Sequence, residues 1–167
     1  MGTFKRRLSR EKVLQALYAY ELSKEPIGDV MKQVLGEIHH DKKCFDFATK
    51  LIHEVVSHQQ EIERIIKLNV SHWESDRIAV IDRMLLRMGI CELLYFPEIP
   101  PKVTINESIE IAKVYSTENS GAFVNGVLDA VLDNLKKNND LNKSGRGLID
   151  QTAEPNSGEH PKPSKSK

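Results

Sequence analysis

Apolar residues recur at intervals of three and four along most of this chain, and that spacing constrains the fold more than any other feature. The pattern runs from Val13 in the first predicted helix to Leu135 in the last. No segment shows the strict alternation of apolar and polar residues that a half-buried strand requires. The spacing therefore predicts an all-α fold, a helical bundle of six or seven helices joined by short links.

Local signals set the predicted helix boundaries. Ser9 is a suitable N-cap for a first helix that ends before Pro26. Ser75-Asp76 begins a long helix that Phe96-Pro97 stops. Thr104–Glu107 has the Ser/Thr-x-x-Glu form of a capping box, which predicts the start of another helix there.

The composition changes after residue 137. Residues 138–167 are polar and rich in Asn, Ser, Lys and Pro, and they contain little apolar surface to offset the entropy of ordering. We therefore predict a folded domain over residues 1–137 and a disordered polar tail over 138–167.

An Asn-Gly pair lies inside the last predicted helix, at Asn125-Gly126. Both residues are poor helix formers, and Gly costs about 1 kcal/mol relative to Ala. One interpretation is that a neighbouring backbone passes close over Gly126 while Asn125 makes a fixed hydrogen bond. The other is a simple packing notch between helices.

Composition limits the cellular setting. No apolar run approaches the roughly 18 residues that a membrane span needs, and the basic N-terminus lacks the apolar core of an export signal. Two cysteines are too few for a disulfide framework. We therefore expect a cytoplasmic protein that does not associate with a membrane.

Catalytic and metal-binding patterns are not found in the sequence. There is no Gly-rich phosphate loop and no nucleophile elbow. His39, His40, Cys44 and His53 suggest zinc at first sight, but Cys44 lies among core residues and the spacing does not suit a four-ligand site. The expectation is a binding protein without catalytic residues, metal or cofactor.

Positive charge is concentrated at the N-terminal end. The net charge is zero, yet residues 1–24 contain six bases and two acids. Lys5, Arg6, Arg7 and Arg10 lie in or just before the first turn of the first predicted helix, where arginine forks and helix amides suit phosphate oxygens. RNA, anionic lipid and an acidic protein remain possible partners, and the lack of an apolar insertion face disfavours lipid. A solvated basic end that maintains solubility is the alternative.

A second charged group lies on the predicted helix that follows residue 76. Arg83 and Arg87 share a face, with Asp82 beside them. This arrangement is typical either of a surface ion-pair lattice or of a charged docking face.

Five motifs, taken in order, resemble the NusB family of bacterial transcription antitermination factors. They are RRLSREKVLQALY at 6–18, DRMLLR at 82–87, EL at 92–93, IPPKVTINESIEIAK at 99–113 and FVNGVLD at 123–129. The resemblance implies two perpendicular three-helix bundles and no enzymatic activity. It further implies binding of single-stranded boxA RNA together with the small-subunit ribosomal protein NusE, in the RNA polymerase antitermination complex that reads through terminators in ribosomal RNA operons.

The resemblance also implies roles for individual residues. The RNA-binding set is Lys5, Arg6, Arg7, Arg10, Asn119, Ser120 and Phe123. The partner-binding set is Tyr18, Asp82, Arg83 and Arg87. The structural set is Asn106, Glu107, Asn125 and Gly126, with Asn106 and Asn125 expected to join two helices by hydrogen bonds.

Two of these positions depart from the family pattern. Asp82 replaces a more usual Glu, which shortens its reach, and Asn119 is neutral where the family often has an acid. Loss of that negative charge predicts stronger RNA binding.

Other functions and assemblies are compatible with the same sequence. A NusB-like domain also occurs fused to an rRNA cytosine methyltransferase, so an accessory subunit of an RNA-modifying system is one alternative. A helical adaptor that binds only protein is another. A homodimer is also possible.

Overall fold

Eight α-helices and two 3-10 helices make up the regular structure of residues 3–151, the part of the chain that the computed structural model describes. The α-helices are α1 Thr3–Ser23, α2 Ile27–Leu35, α3 Lys42–Ser57, α4 Gln59–Asn69, α5 His72–Ser75, α6 Val80–Tyr95, α7 Pro101–Tyr115 and α8 Ser120–Lys137. The 3-10 helices are Gly36–Ile38 and Gly145–Gln151. The predicted all-α fold is confirmed, with more helices than the six or seven expected.

The helices pack in two groups. α1, α2 and α3 contact one another, and α4, α6, α7 and α8 form the second group. Helix α6 lies at the centre because it also packs against α1 and α3, and its residues from Met84 to Leu93 are all buried. Because α6 is buried between them, it contributes to the core of both helix groups and holds the two groups together.

Three predicted boundaries are wrong, each because a polar residue has a different role. Helix α1 begins at Thr3, and the buried Ser9 hydroxyl donates to the Lys5 carbonyl oxygen within the helix, at 3.1 Å. The long helix begins at Val80, after a separate short α5. Helix α7 begins at Pro101, so Thr104 and Glu107 lie inside it and form no capping box.

A capping box does occur elsewhere. Ser71 accepts a hydrogen bond from the Glu74 amide at 3.1 Å, and the Glu74 carboxylate accepts one from the Ser71 amide at 3.1 Å. The reciprocal pair starts α5, and it lowers the pKa of Glu74 because both the amide and the hydroxyl of Ser71 favour the charged carboxylate.

The glycine that permits close helix packing is Gly89 rather than Gly126. A Cβ atom at Gly89 would lie 2.9 Å from both terminal methyl groups of Leu128 on α8. Gly126 is exposed, and a Cβ atom there would have no neighbour within 4 Å. Both interpretations of Gly126, close backbone approach and packing notch, are therefore wrong.

No hydrogen bond joins Asn106 to Asn125 in the part of the chain that the structure describes. Asn106 is exposed on α7, and Asn125 is half-buried on α8. The expected link between two helices is therefore wrong for this pair. Helices α7 and α8 instead pack through apolar residues such as Ile111 and Val124.

The chain stays attached to the fold beyond α8. The Lys143 ammonium donates to the backbone oxygens of Glu92 at 3.1 Å and Phe96 at 2.9 Å, and the Ser144 amide donates to Pro97 O at 3.0 Å. Gly147 is buried against Pro97. The predicted disorder is wrong for this segment, residues 138–149, which we call the C-terminal strap. The rest of the predicted tail, from residue 152, lies outside the described residues.

Candidate nucleic-acid interface

Lys5, the first of the predicted RNA-binding residues, links α1 to the start of α3. Its ammonium donates to Asp41 at 3.0 Å, and Asp41 also accepts from the Cys44 amide as the N-cap of α3. The hydrogen bond from Lys5 and the one from the Cys44 amide together lower the pKa of Asp41 to about 2. Lys5 itself remains exposed at the surface.

Arg7 forms a bidentate pair with Glu107 on α7. Its Nε and Nη2 atoms each lie 2.9 Å from a carboxylate oxygen. The hydrogen bonds to Glu107 outweigh desolvation and raise the pKa of Arg7. Because 37% of the Arg7 side chain is exposed against 6% of Glu107, the guanidinium presents an outer edge to solvent while its inner edge holds α1 to α7.

Arg6 differs from its neighbours because no carboxylate pairs with it among the described residues. Its Nε is buried without a hydrogen-bond partner, and its guanidinium carbon lies 5.9 Å from the centroid of the Phe47 ring. A guanidinium held over an aromatic ring keeps its charge and its remaining donors. Arg6 therefore has unused hydrogen-bonding capacity at the N-terminal end of α1.

Arg10 lies in the core. Its side chain is 2% exposed, and Nε and Nη2 donate to the Glu92 carboxylate at 2.9 and 2.6 Å. Thr104 donates to the same carboxylate at 3.2 Å. Burial disfavours the charge of Arg10, but the charge and hydrogen bonds of Glu92 prevail and raise its pKa. The predicted direct contact of Arg10 with RNA is therefore not available in this arrangement, and Arg10 instead anchors α1 to α6.

A hydroxyl cluster organises the turn between α7 and α8. Asp82 accepts from the Ser116 hydroxyl at 2.6 Å and from the Ser120 hydroxyl at 2.9 Å. The Ser120 hydroxyl also accepts from the Thr117 amide at 3.3 Å. Asp82 and Ser120 are both buried, so the predicted direct contacts of Asp82 with a protein partner and of Ser120 with RNA are not available in this arrangement. Together they fix the position from which α8 begins.

Asn119 and Phe123 lie at the surface near the start of α8. Asn119 is exposed at the N-cap, where its side chain makes no capping hydrogen bond, and Phe123 is half-buried against the core. Both residues are thus accessible to a ligand, unlike Ser120 between them.

Residues of α7 lie beside both Arg7 of α1 and the start of α8. Glu107 holds Arg7, and Glu110 pairs with Lys113 at 2.9 Å. A Cβ atom on Gly121 would lie 4.0 Å from Cγ of Lys113. From Glu107 to Lys113 the helix rises only about 9 Å. The basic end of α1 and the exposed start of α8 therefore flank the same stretch of α7.

The predicted partner-binding arginines belong to a network that the sequence did not indicate. Arg87 pairs with Glu63 on α4 at 2.6 Å and with Glu21 on α1 at 3.2 Å, and Arg83 also pairs with Glu63. Nothing in the sequence singles out Glu63, which is one of two acids on α4. Tyr18, one turn before Glu21 on α1, is 40% exposed. Of the predicted partner-binding residues, Tyr18 is thus the most accessible.

Residues 3–151 contain neither a metal-binding cluster nor a membrane-spanning helix. No group of three or more His, Cys, Asp or Glu side chains in that range is placed to hold a metal ion. None of the helices in that range is long and apolar enough to cross a membrane.

Comparison with known proteins matches this chain to one family along most of its length. The model of the NusB family matches residues 7–133. The transcription antitermination protein NusB of Chloroherpeton thalassium is 46% identical over 160 residues, which are 95% of this chain and 76% of that protein. That match extends past α8 into the C-terminal strap.

Solved structures agree in fold. T. maritima NusB has a TM-score of 0.72 and 39% identity, covering 77% of this chain and 90% of its own. A chain in the crystal structure of the antitermination factors NusB and NusE in complex with double-stranded RNA has a TM-score of 0.71 and 31% identity, covering 78% of this chain and 97% of its own.

Proposed function

The chain belongs to the NusB family, and from that premise we propose that it is a transcription antitermination factor that binds boxA RNA together with a NusE-type ribosomal protein. In this proposal it acts in the cytoplasm, without catalysis, and the assembled complex keeps RNA polymerase transcribing through terminators of ribosomal RNA operons. Support comes from the relative named as an antitermination protein and from the similar structure that contains NusE and RNA.

The proposed RNA surface consists of Arg6, Arg7, Asn119 and Phe123, with Lys5 at its edge. The observation that carries it is the unpaired guanidinium of Arg6 beside the half-exposed Arg7 at the N-terminal end of α1. Arginine forks and helix amides bind phosphate oxygens, while the accessible part of the half-buried Phe123 ring is suited to stacking against an unpaired base. Arg10 and Ser120 serve this surface indirectly, by positioning α1 and α8.

The proposed NusE surface is centred on Tyr18. Beneath it, Glu21, Glu63 and Arg87 form an ion-pair network that ties α1, α4 and α6 together. A rigid backing of this kind lowers the entropy lost when a partner docks, because the supporting side chains are already ordered. Arg83 and Arg87 therefore contribute to partner binding by holding the surface in place.

Salt dependence of RNA binding tests the arginine surface. Each phosphate contact on a single strand contributes about 0.7 to the slope of log affinity against log salt. Replacing Arg6 and Arg7 together by Ala is expected to reduce the slope by about 1.4. Arg64→Ala combined with Lys67→Ala, both at exposed positions on α4, removes an equal charge elsewhere and serves as the matched control.

The change in the salt slope distinguishes the loss of phosphate contacts from a general change in net charge. The same loss of slope in the Arg64/Lys67 variant and in the Arg6/Arg7 variant would show that net charge alone governs binding. An unchanged slope in the Arg6/Arg7 variant would place the RNA elsewhere. Single-stranded and duplex boxA should be compared in the same series, since the related structure contains double-stranded RNA.

A further inference from the structure

An apolar cleft lies between α2 and α3, on residues that the proposed RNA and NusE surfaces do not use. It has a volume of about 450 Å³, and Met31, Leu35 and Phe45 supply apolar and aromatic walls. Gly28 and Gly36 line it as well, and a Cβ atom at either glycine would have no neighbour within 4 Å. The space is in the range of pockets that hold small organic molecules.

A hydroxyl without a partner lines this cleft. The Oγ1 atom of Thr49, on α3, is buried and has no hydrogen-bond partner among the described residues. A threonine hydroxyl within a helix commonly donates to the carbonyl oxygen four residues before it, and here that bond is not made. A buried polar group normally has a partner, so this hydroxyl points to a ligand atom that supplies one.

The ionisable side chains that line the cleft are all basic residues. Lys32, His39 and His53 line it, and no Asp or Glu does so among the residues that the structure describes. The His39 ring also packs edge-on against Phe45, with centroids 5.7 Å apart. The cleft thus combines an apolar interior with donors and positive charge, an arrangement complementary to an apolar molecule that carries one negative group.

We propose that this cleft binds a small amphipathic carboxylate, with an aromatic or aliphatic body against Met31, Leu35 and Phe45. Lys32 and the histidines receive the carboxylate, and the Thr49 hydroxyl hydrogen-bonds to a polar atom of the ligand. This site is independent of RNA binding, because α3 directs Phe45 and Thr49 to the cleft and Phe47 towards Arg6 and Arg10.

Titration of the full-length protein with 2-naphthoate, monitored by amide chemical shifts, tests the proposal. We expect saturable binding at one site, with shifts confined to α2, the Gly36–Ile38 turn and α3. The neutral 2-naphthamide should bind more weakly, and Lys32→Gln should remove most of that difference. Thr49→Val keeps the side-chain shape and should weaken binding about two- to tenfold, as expected for one lost hydrogen bond.

A variant that fills the cleft tests the proposal even if Lys32→Gln and Thr49→Val have small effects. Gly36→Phe places a ring at the cleft and should abolish binding, while Gly126→Phe adds the same ring at an open position on α8 and should leave binding unchanged. Shifts spread over the whole surface would overturn the proposal. So would equal binding of acid and amide, or naphthoate binding that survives Gly36→Phe in a folded protein.

Discussion

Arg6, Arg7 and Arg10 lie within two turns of α1, and the helix directs them to three different environments. Arg6 rests on Phe47 without a carboxylate partner, Arg7 shares Glu107 with solvent, and Arg10 is enclosed with Glu92. From their spacing in the sequence, the three arginines are predicted to form one basic surface. The helices packed against α1 determine which guanidinium remains accessible to RNA. Burial of a charge is tolerated only with full pairing, which Glu92 supplies to Arg10.

Arg10→Met is expected to destabilise the fold by about 3–5 kcal/mol, because it leaves the Glu92 carboxylate buried without its counter-charge. Chemical denaturation measures the loss. The double variant Arg10→Met with Glu92→Met should recover most of it, since both charges are then removed. A loss below about 1 kcal/mol in the single variant would contradict the buried pair as an anchor of α1.

Asn119→Asp is expected to weaken RNA binding without loss of stability. The new carboxylate would repel phosphate beside the proposed RNA surface, while an Asp at a helix N-cap favours the helix. RNA titration and thermal unfolding on the same sample measure both effects. Asn142→Asp, at an exposed position in the C-terminal strap, adds the same charge away from that surface. Equal weakening by both variants would indicate a general charge effect.

At the scale of elements, α6 and α8 approach each other through Gly89 and Leu128. The sequence draws attention to Asn125-Gly126 because two poor helix formers are adjacent, whereas Gly89 stands alone between the apolar residues Met88 and Ile90. Which glycine is needed depends on the side of the helix that faces the neighbour, and this is decided by tertiary packing rather than by local propensity.

Alanine substitutions at the two glycines should therefore have opposite effects. Gly89→Ala places a methyl group 2.9 Å from the Leu128 methyls, which costs about 1–3 kcal/mol by overpacking. The better helix propensity of Ala offsets about 1 kcal/mol of this cost, so the expected net loss is up to about 2 kcal/mol. Gly126→Ala is expected to stabilise the protein by about 0.5–1 kcal/mol, since the position is exposed within a helix. Denaturant midpoints measure both. Destabilisation by Gly126→Ala would show that the Asn-Gly pair has a constraint beyond packing.

The C-terminal strap should make stability depend on alkaline pH. Burial lowers the pKa of Lys143 to about 8, although the charges of Glu92 and Glu98 act in the opposite direction. Between that value and the ordinary pKa of 10.5 the unfolded chain binds more protons, so the Lys143 contribution to folded stability rises with pH. The hydrogen bonds to the Glu92 and Phe96 carbonyl oxygens are kept when Lys143 loses its proton, because the neutral amine of Lys143 is still a donor.

Denaturation of the wild type and of Lys143→Met from pH 7.5 to 10.5 measures this contribution. The stability difference between them should grow with pH across the window. Burial also raises the pKa of Cys91, which opposes the rise, but that effect is common to both proteins and cancels in the difference. A constant difference would contradict a buried Lys143.

For the whole molecule, helical periodicity was sufficient to predict the all-α class and most helix locations, because apolar faces must meet a core wherever they occur. Periodicity was not sufficient to separate surface charges from buried ones. The sequence places Arg10 in an exposed basic segment and Asp82 beside a surface ion-pair lattice. Both residues are buried, because Glu92 pairs with Arg10 and the Ser116 and Ser120 hydroxyls donate to Asp82. The packing of the C-terminal strap is not predicted for a related reason, since the hydrogen bonds of Lys143 to backbone carbonyl oxygens leave no periodic apolar pattern in the sequence.

The ion pairs of α1 also connect the two proposed surfaces. At its N-terminal end, Arg7 joins α7 beside the RNA surface, and near its C-terminal end Glu21 joins Arg87 beneath Tyr18. One helix of 21 residues thus supports both surfaces on a single rigid frame. This arrangement predicts that NusE and RNA bind without excluding each other.

Titration of labelled boxA RNA and a scrambled RNA at near-physiological salt, each with and without the NusE-type ribosomal protein of the same organism, tests the central claim most directly. The proposal predicts a preference for boxA that becomes stronger when the ribosomal protein is added. Equal, weak binding of both RNAs that the ribosomal protein does not change would contradict it, and would leave a basic helical adaptor that binds only protein.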